Sequence, residues 1–370
     1  MITKKTAALL AALCALLFVA AWRYIKAAGL LRKYPEPQYL TEAEAESRPV
    51  YDQLRTDEKA IYTALYRGIS QQQEYIPLPY EVDGDQYSRI YCILEKQEGE
   101  FFFLDSVYYT AAKVRDARVV YRDLNLIDIQ ETKLRDKVDS IVDGALNTDD
   151  YSLVRYINDY LVDNCRYITG EDVEYASTAY GCLVEGEANC EGYAKAFDLL
   201  AAELGLKSVL ITGTTESGEN HAWNQVKVGT DWYNIDVTWA DTDVMGETRQ
   251  MYFLCDDATF ERTHFADDTL FEPFPCGNAE DNYYVKNGLY ADSSERAEEI
   301  IRRELSSGNG VIELRFSDIF VYDNFKREYI DTEKIFEVAV ETGYPFGAQI
   351  NLSLRENEQE NCMTLDFTAE

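Results

Sequence analysis

Two histidines stand among 370 residues, His221 and His264, and eight cysteines accompany them. A metal site built on several imidazoles is excluded by that count, and a histidine base has two candidates. Cys190 is the thiol whose position matters most. The segment 186–205 reads as a loop followed by a helix, because Tyr193, Phe197, Leu200 and Leu204 step 4, 3, 4 and form one apolar stripe. Asn189 is a good N-cap and Gly205 a good C′ residue. Cys190 then falls in the first helical turn, where unpaired N–H groups and the helix dipole favour a thiolate. The same N–H groups can donate to an oxyanion. Glu187 and Glu191 act against this, since nearby negative charge raises a thiol pKa. A positive partner is needed, and a protonated imidazole is the obvious one. Taken alone, Cys190 reads equally well as a small buried residue that opens a helix.

The histidine lies in a predicted hairpin. Residues 220–228 alternate as a half-buried strand, 229–231 supply the turn, and 232–239 form the return strand. With Gly229-Thr230 as a two-residue type II′ turn, Val228 pairs with Asp231 and Trp223 with Asp236. His221 is then a diagonal neighbour of Asp236 on the same face, within side-chain reach. A slip of one residue would put them on opposite faces. An imidazole that takes a proton from a thiol needs a fixed tautomer, and a carboxylate on its other nitrogen provides that. The roles that follow are Cys190 as nucleophile, His221 as base and later acid, and Asp236 as the orienting group.

These three segments, Ala188-Asn-Cys190-Glu-Gly-Tyr-Ala-Lys-Ala-Phe197, Asn220-His221-Ala-Trp-Asn224 and Trp232-Tyr-Asn-Ile-Asp236-Val-Thr-Trp239, resemble the transglutaminase-like superfamily of bacterial exported proteins. The resemblance covers about 150–265 and keeps the order Cys, His, Asp at spacings of 31 and 15 residues. It implies an α+β, papain-like core in which a helix bearing the thiol packs on an antiparallel sheet. It departs from the family at one point, where relatives carry Asp-Asp after the last tryptophan and this chain carries Ala240-Asp241. The chemistry expected of such a site is acyl transfer through a thioester, to water in a peptidase or amidase and to an amine in a transamidase. A binding module using the same cleft for cell-wall or protein ligands is the alternative. The oxyanion hole is expected to use the Cys190 N–H with Tyr180 as a second donor. Trp223, Trp239 and His264 are expected near the cleft. No cofactor or metal is expected, because clusters such as Asp241-Thr-Asp243 and Asp256-Asp257 lack a calcium-loop pattern.

The elements that must position these residues divide the chain into four. Residues 1–29 read as a signal peptide or transmembrane anchor: Lys4 and Lys5 precede an uncharged run from Thr6 to Trp22, which spans about 25 Å as a helix. The rest is therefore expected outside the cytoplasm, with membrane contact through that segment only. Residues 30–147 mix helices at 57–69 and 132–146 with strands at 87–95 and 100–109. Residues 148–275 hold the core, opened by a helix that Asp149 or Asp150 caps. Residues 280–370 read as α+β, with helices at 292–305 and 331–342 and strands at 311–316 and 349–354.

Composition narrows the partners. Lys and Arg number 35 and Asp and Glu 67, a net charge of −32. Nucleic acid is excluded, since that affinity comes from phosphate neutralisation. The expected substrate is a peptide or protein, cell-wall peptides included. With the leader removed, seven cysteines remain and none forms C-x-x-C, so a disulfide scaffold and a zinc ribbon are not indicated. An odd count leaves at least one free thiol in a monomer.

Overall fold

The computed structural model describes residues 14–24, 34–146, 148–169, 173–241, 250–346 and 350–368. The expected leader therefore lies partly outside the described residues, as do 242–249, which include two positions of the acidic Asp241-Thr-Asp243 cluster. Residues 14–24 are helical, with Leu16, Leu17, Phe18 and Trp22 exposed. No helix among the described residues is long and apolar enough to cross a membrane. The chain divides into two compact units, Met1–Leu40 with Leu54–Tyr91 and Leu104–Arg122, and Thr41–Gln53 with Cys92–Phe103 and Asp123–Glu370.

In the first unit, α1 (Thr56–Ser70) buries Ile61, Leu65 and Ile69, the stripe that predicted it. β1 (Tyr75–Asp83) leads into α2 (Gly84–Gln97) and pairs antiparallel with β2 (Lys113–Arg118). α2 corrects an expected strand. Its aromatic and β-branched content reads as β, but Tyr87, Ile90, Tyr91 and Leu94 recur at 0, 3, 4 and 7 and are all buried, which is a helical period. The expected strand at 100–109 is also absent. Phe101, Phe102, Phe103 and Leu104 are buried consecutively, and a single 3-10 turn (Gly99–Phe101) replaces alternation. Within α2, Cys92–Gln97 belong to the second unit.

The second unit begins its core with α3 (Ile127–Gly144) and α4 (Asp150–Asn164), the latter capped by Asp149, whose carboxylate accepts from the Ser152 N–H. Two short parallel strands follow, β3 (Arg166–Tyr167) and β4 (Glu187–Ala188). Then come α5 (Cys190–Glu203), β5 (Ser208–Thr215), β6 (Asn220–Val228), β7 (Asp231–Ile235) and β8 (His264–Ala266). The four strands form an antiparallel sheet in the order β7-β6-β5-β8, and α5 packs on β5 and β6. Ala194, Leu210 and Ala222 make the contact between helix and sheet, and Cys190 packs against them. The C-terminal part contains β9 (Tyr290–Ala291), α6 (Ser294–Ser306), β10 (Val311–Phe316), β11 (Ser353–Asn357) and β12 (Cys362–Asp366). Its sheet order is β11-β12-β10-β9. The expected strand at 349–354 starts later, at Ser353, and the expected helix at 331–342 is Lys334–Glu341. The fold is mixed helix and sheet throughout.

Candidate active site

Cys190 is the first residue of α5, a position where the helix supplies no acceptor for its N–H. Asn189 caps the helix, its side chain accepting from the Gly192 N–H at 3.1 Å, while its own N–H donates to the Ala176 carbonyl at 2.9 Å. Glycine at 192 is what lets the preceding loop lie so close. A Cβ there would sit 2.3 Å from the Ala176 oxygen and 2.8 Å from the Ala188 Cβ.

The hairpin forms in the predicted register. Val228 pairs with Asp231, and Gly229 has φ +59° while Thr230 does not enter the left-handed region, which suits a type II′ turn. The return strand, expected to run through Trp239, ends at Ile235. Asp236 instead caps a helical turn (Val237–Ala240), its Oδ1 accepting from the Trp239 N–H at 3.1 Å. Its own N–H donates to the Tyr252 carbonyl, which fixes the main chain that carries the carboxylate. The family pattern is broken at Ala240; Asp241, which keeps it, is buried and accepts from the Tyr193 hydroxyl of α5 at 2.9 Å.

His221 and Asp236 meet inside the protein. Asp236 is 0% exposed and His221 8%. The ring Nε2 and the Asp236 Oδ2 are 2.7 Å apart. A carboxylate has only acceptors, so Nε2 carries the proton toward Asp236 and Nδ1 is the nitrogen left to exchange a proton, with Cys190 among the groups that act on the ring. Burial disfavours a charged ring, but the Asp236 charge and its hydrogen bond outweigh that, with Cys190 adding to them, and the imidazole is pushed up to about 10. Burial likewise pushes Asp236 up, and the His221 and His264 donors more than reverse it, holding the carboxyl well below the usual range.

His264 is the second donor. Its Nε2 is 3.1 Å from the same Asp236 oxygen, and the Thr263 hydroxyl oxygen lies 2.9 Å from its Nδ1. It lies on β8, which approaches β5 closely at Gly213, the residue opposite His221. A Cβ at Gly213 would sit 2.2 Å from the Phe265 carbonyl oxygen and 2.7 Å from the Trp223 ring. His221 Nε2, His264 Nε2 and the Asp236 carboxylate lie within 4.8 Å of one another, a group that could ligate a cation. Both nitrogens are already at hydrogen-bond distance from Oδ2, so two N–H donors and one acceptor account for the arrangement.

Cys190 and His221 open onto a cleft of about 1140 Å³, whose walls include Tyr167, Glu219, Phe265 and Asp267. The other residues expected around the cleft lie elsewhere. Tyr180 is buried and stacked on Phe102 with centroids 4.8 Å apart, and it does not line the cleft. The reason is local: it begins a π-helical turn (Gly181–Glu185) that turns its ring into the core. Trp223, Trp239 and His264 form an aromatic wall behind the imidazole, with centroids 6.2, 5.5 and 5.6 Å from the His221 ring. The cleft aromatic that sequence reasoning missed is Tyr167. It reaches the wall through a two-residue parallel pairing, Tyr167 opposite Ala188, two positions before Cys190. Such a pairing leaves no periodic signal.

The two acids expected to oppose the thiolate are both paired. Glu187 binds Arg166. Glu191 lies 2.7 Å from Lys96 and 2.8 Å from Lys195. Burial pushes the Glu191 carboxyl up, but the two ammonium groups reverse this and lower it to about 2.

Part of this chain is similar to known proteins. Residues 137–237, which include Cys190, His221 and Asp236, match the transglutaminase-like superfamily. The mouse kyphoscoliosis peptidase is 28% identical over 169 residues, covering 39% of this chain and 26% of that protein. The human kyphoscoliosis peptidase is 30% identical over 126 residues, covering 28% of this chain and 19% of that protein. The chain thus spans about a quarter or less of the length of these curated relatives. A solved structure described as a TGase is 14% identical with a TM-score of 0.27, covering 36% of this chain and 43% of that one. The chain carries a transglutaminase-like superfamily domain across residues 137–237.

Proposed function

We propose that this protein is a thiol-dependent acyl-transfer enzyme acting on peptide or amide bonds. The observation that carries the reading is one imidazole shared between a helix-start thiol and a buried carboxylate, at the wall of an open cleft. The Asp236 carboxylate favours the doubly protonated His221 ring. The Cys190 sulfur attacks the carbonyl carbon as thiolate, and the carbonyl electrons move to oxygen, where the Cys190 N–H donates. His221 gives its Nδ1 proton to the departing nitrogen, leaving a thioester. Water or an amine then attacks the thioester as His221 takes a proton back, and the sulfur leaves. Asp236 keeps Nε2 occupied throughout and stays ionised. The name of the two mammalian relatives supports peptide hydrolysis as the direction. Lys4 and Lys5 ahead of the uncharged run from Thr6 to Trp22 support placement outside the cytoplasm, where protein and cell-wall peptides are the available substrates.

The test is a thiol-directed activity probe with peptide mapping, followed by mass analysis of the acyl group trapped on Cys190. Enhanced labelling relative to the unfolded chain, lost in Cys190→Ala, is expected. If Cys190 labels no faster than the denatured thiol while peptide ligands still bind, the cleft belongs to a binding module and the enzymatic reading falls.

A further inference from the structure

Glu191 follows Cys190 on α5 and lines the same cleft. A bare carboxylate beside a nucleophilic thiol disfavours the thiolate. Lys96 Nζ lies 2.7 Å from one Glu191 oxygen and Lys195 Nζ 2.8 Å from the other. Glu95 closes the group, 3.3 Å from Lys96 and hydrogen-bonded by Lys195. Two ammonium groups and two carboxylates make a quartet with no net charge. Lys195 stands one helical turn after Glu191 and is only 5% exposed. A lysine buried to that degree would lose its proton without partners, and Glu191 and Glu95 hold it charged. The remaining ionisable groups around Cys190 come from other elements: His221 with Asp236 and His264 behind it, Tyr167 on β3, Glu187 paired to Arg166, and Glu219 and Asp267 in the cleft wall.

Resting on the acyl-transfer reading, we propose that Lys96 and Lys195 are positioning residues that act through Glu191. They lock it into the neutral quartet, so the acid next to the nucleophile adds no net charge to it. Packing alone does not require this arrangement, because a methionine would fill the Lys195 stem's place.

The experiment follows iodoacetamide alkylation of Cys190 in the full chain from pH 5 to 9, resolved by peptide mapping because Cys14 is exposed and Cys92 partly so. Lys96→Met is the first variant, since Lys96 is on the rim of the quartet and about a quarter exposed. Its alkylation midpoint should rise by about one pH unit, with an about tenfold slower reaction on the acidic limb. Lys96→Met/Glu191→Gln should return to within about twofold of wild type, because the unpaired charge is gone. Lys195→Met with and without Glu191→Gln repeats the cycle. A double variant as slow as the single one means the lysine only packs, and an unshifted Lys96→Met means the quartet has no electrostatic role; either overturns the proposal. A wild-type Cys190 no faster than the unfolded chain instead overturns the acyl-transfer reading, and the quartet's role with it.

Discussion

Replacing Asp236 with asparagine changes one oxygen to an NH2 group and tests the core of the site. Oδ2 accepts from two imidazoles, at 2.7 and 3.1 Å, and Oδ1 accepts from the Trp239 N–H at 3.1 Å. An amide cannot serve both sides. If its oxygen keeps Trp239, its NH2 faces two ring nitrogens that must then be unprotonated. His221 would carry its single proton on Nδ1, toward the sulfur, and could no longer accept from a thiol. If the amide turns over, its NH2 meets the Trp239 N–H, donor against donor. The wrong tautomer in the analogous position of a serine protease triad lowers turnover by about 10⁴, and a similar loss is expected here. Stability should fall as well. The rise of His221 from 6.5 to about 10 corresponds to about 5 kcal/mol at 1.36 kcal/mol per pH unit. Removing one partner of a buried ion pair costs about 3–5 kcal/mol in general. The assays are Cys190 alkylation against pH and urea unfolding at pH 7. The variant thiol should lose its plateau near neutral pH and follow an ordinary rising thiol curve, with unfolding weakened by about 3–5 kcal/mol. A variant that keeps the wild-type pH profile would refute the assignment of Asp236 as the group that orients His221.

Two further outcomes follow from the buried charges. His221 is raised above its unfolded value, so its contribution is complete below pH 6.5 and is lost as pH rises toward about 10. Asp236 is depressed, so its contribution is complete above 3.8 and is lost as acid protonates it. Urea unfolding of the wild type should therefore weaken between pH 7 and 10 while Asp236→Asn stays nearly flat there, and parallel curves would contradict the pairing. Asp198 carries the opposite sign. Burial raises its carboxyl to about 7, with Ser208 and Asn224 hydrogen bonds only partly offsetting it. Its ionisation therefore weakens the fold as pH climbs from 3.8 through 7. Asp198→Asn should gain about 2 kcal/mol at pH 8 and almost nothing at pH 4. Denaturant titration at both values checks this, and a variant weaker than wild type at pH 8 would show that the carboxylate is needed there.

The site was legible where local sequence forces geometry. Asn189 and the 4, 3, 4 stripe put Cys190 at a helix start, and a glycine at the first turn position sets the hairpin register that brings His221 beside Asp236. The early end of β7 was not legible, because Asp236 had to be recognised as a cap as well as a partner. His264 was expected near the cleft, but its bond to Asp236, 28 residues earlier, was not legible, because it sits on a three-residue strand too short to carry a pattern. Tyr167 depends on an equally short pairing. α2 was misread because residue types and spacing disagreed, and burial followed the spacing. Lys96 comes from the end of that same helix, so an error in an apparently remote element concealed the partner of Glu191.

Net charge gives little guidance about such a site, and its pairing gives much more. The chain has nearly two acids for each base, yet its bases are spent unevenly. Arg166 goes to Glu187, Lys96 and Lys195 go to Glu191, and both histidines go to Asp236. These acids flank the nucleophile or orient its partner, and each would otherwise act on the ionisation of Cys190 or His221. Glu219 and Asp267 also line the cleft, and among the described residues no lysine or arginine lines it with them. A residue beside Cys190 needs its charge cancelled because Coulomb energy falls with distance and with solvent screening. Exposed carboxylates farther along the wall perturb the sulfur much less. The acidity that argues against a thiolate in the composition is therefore removed at the positions that matter by cations drawn from three separate stretches of chain.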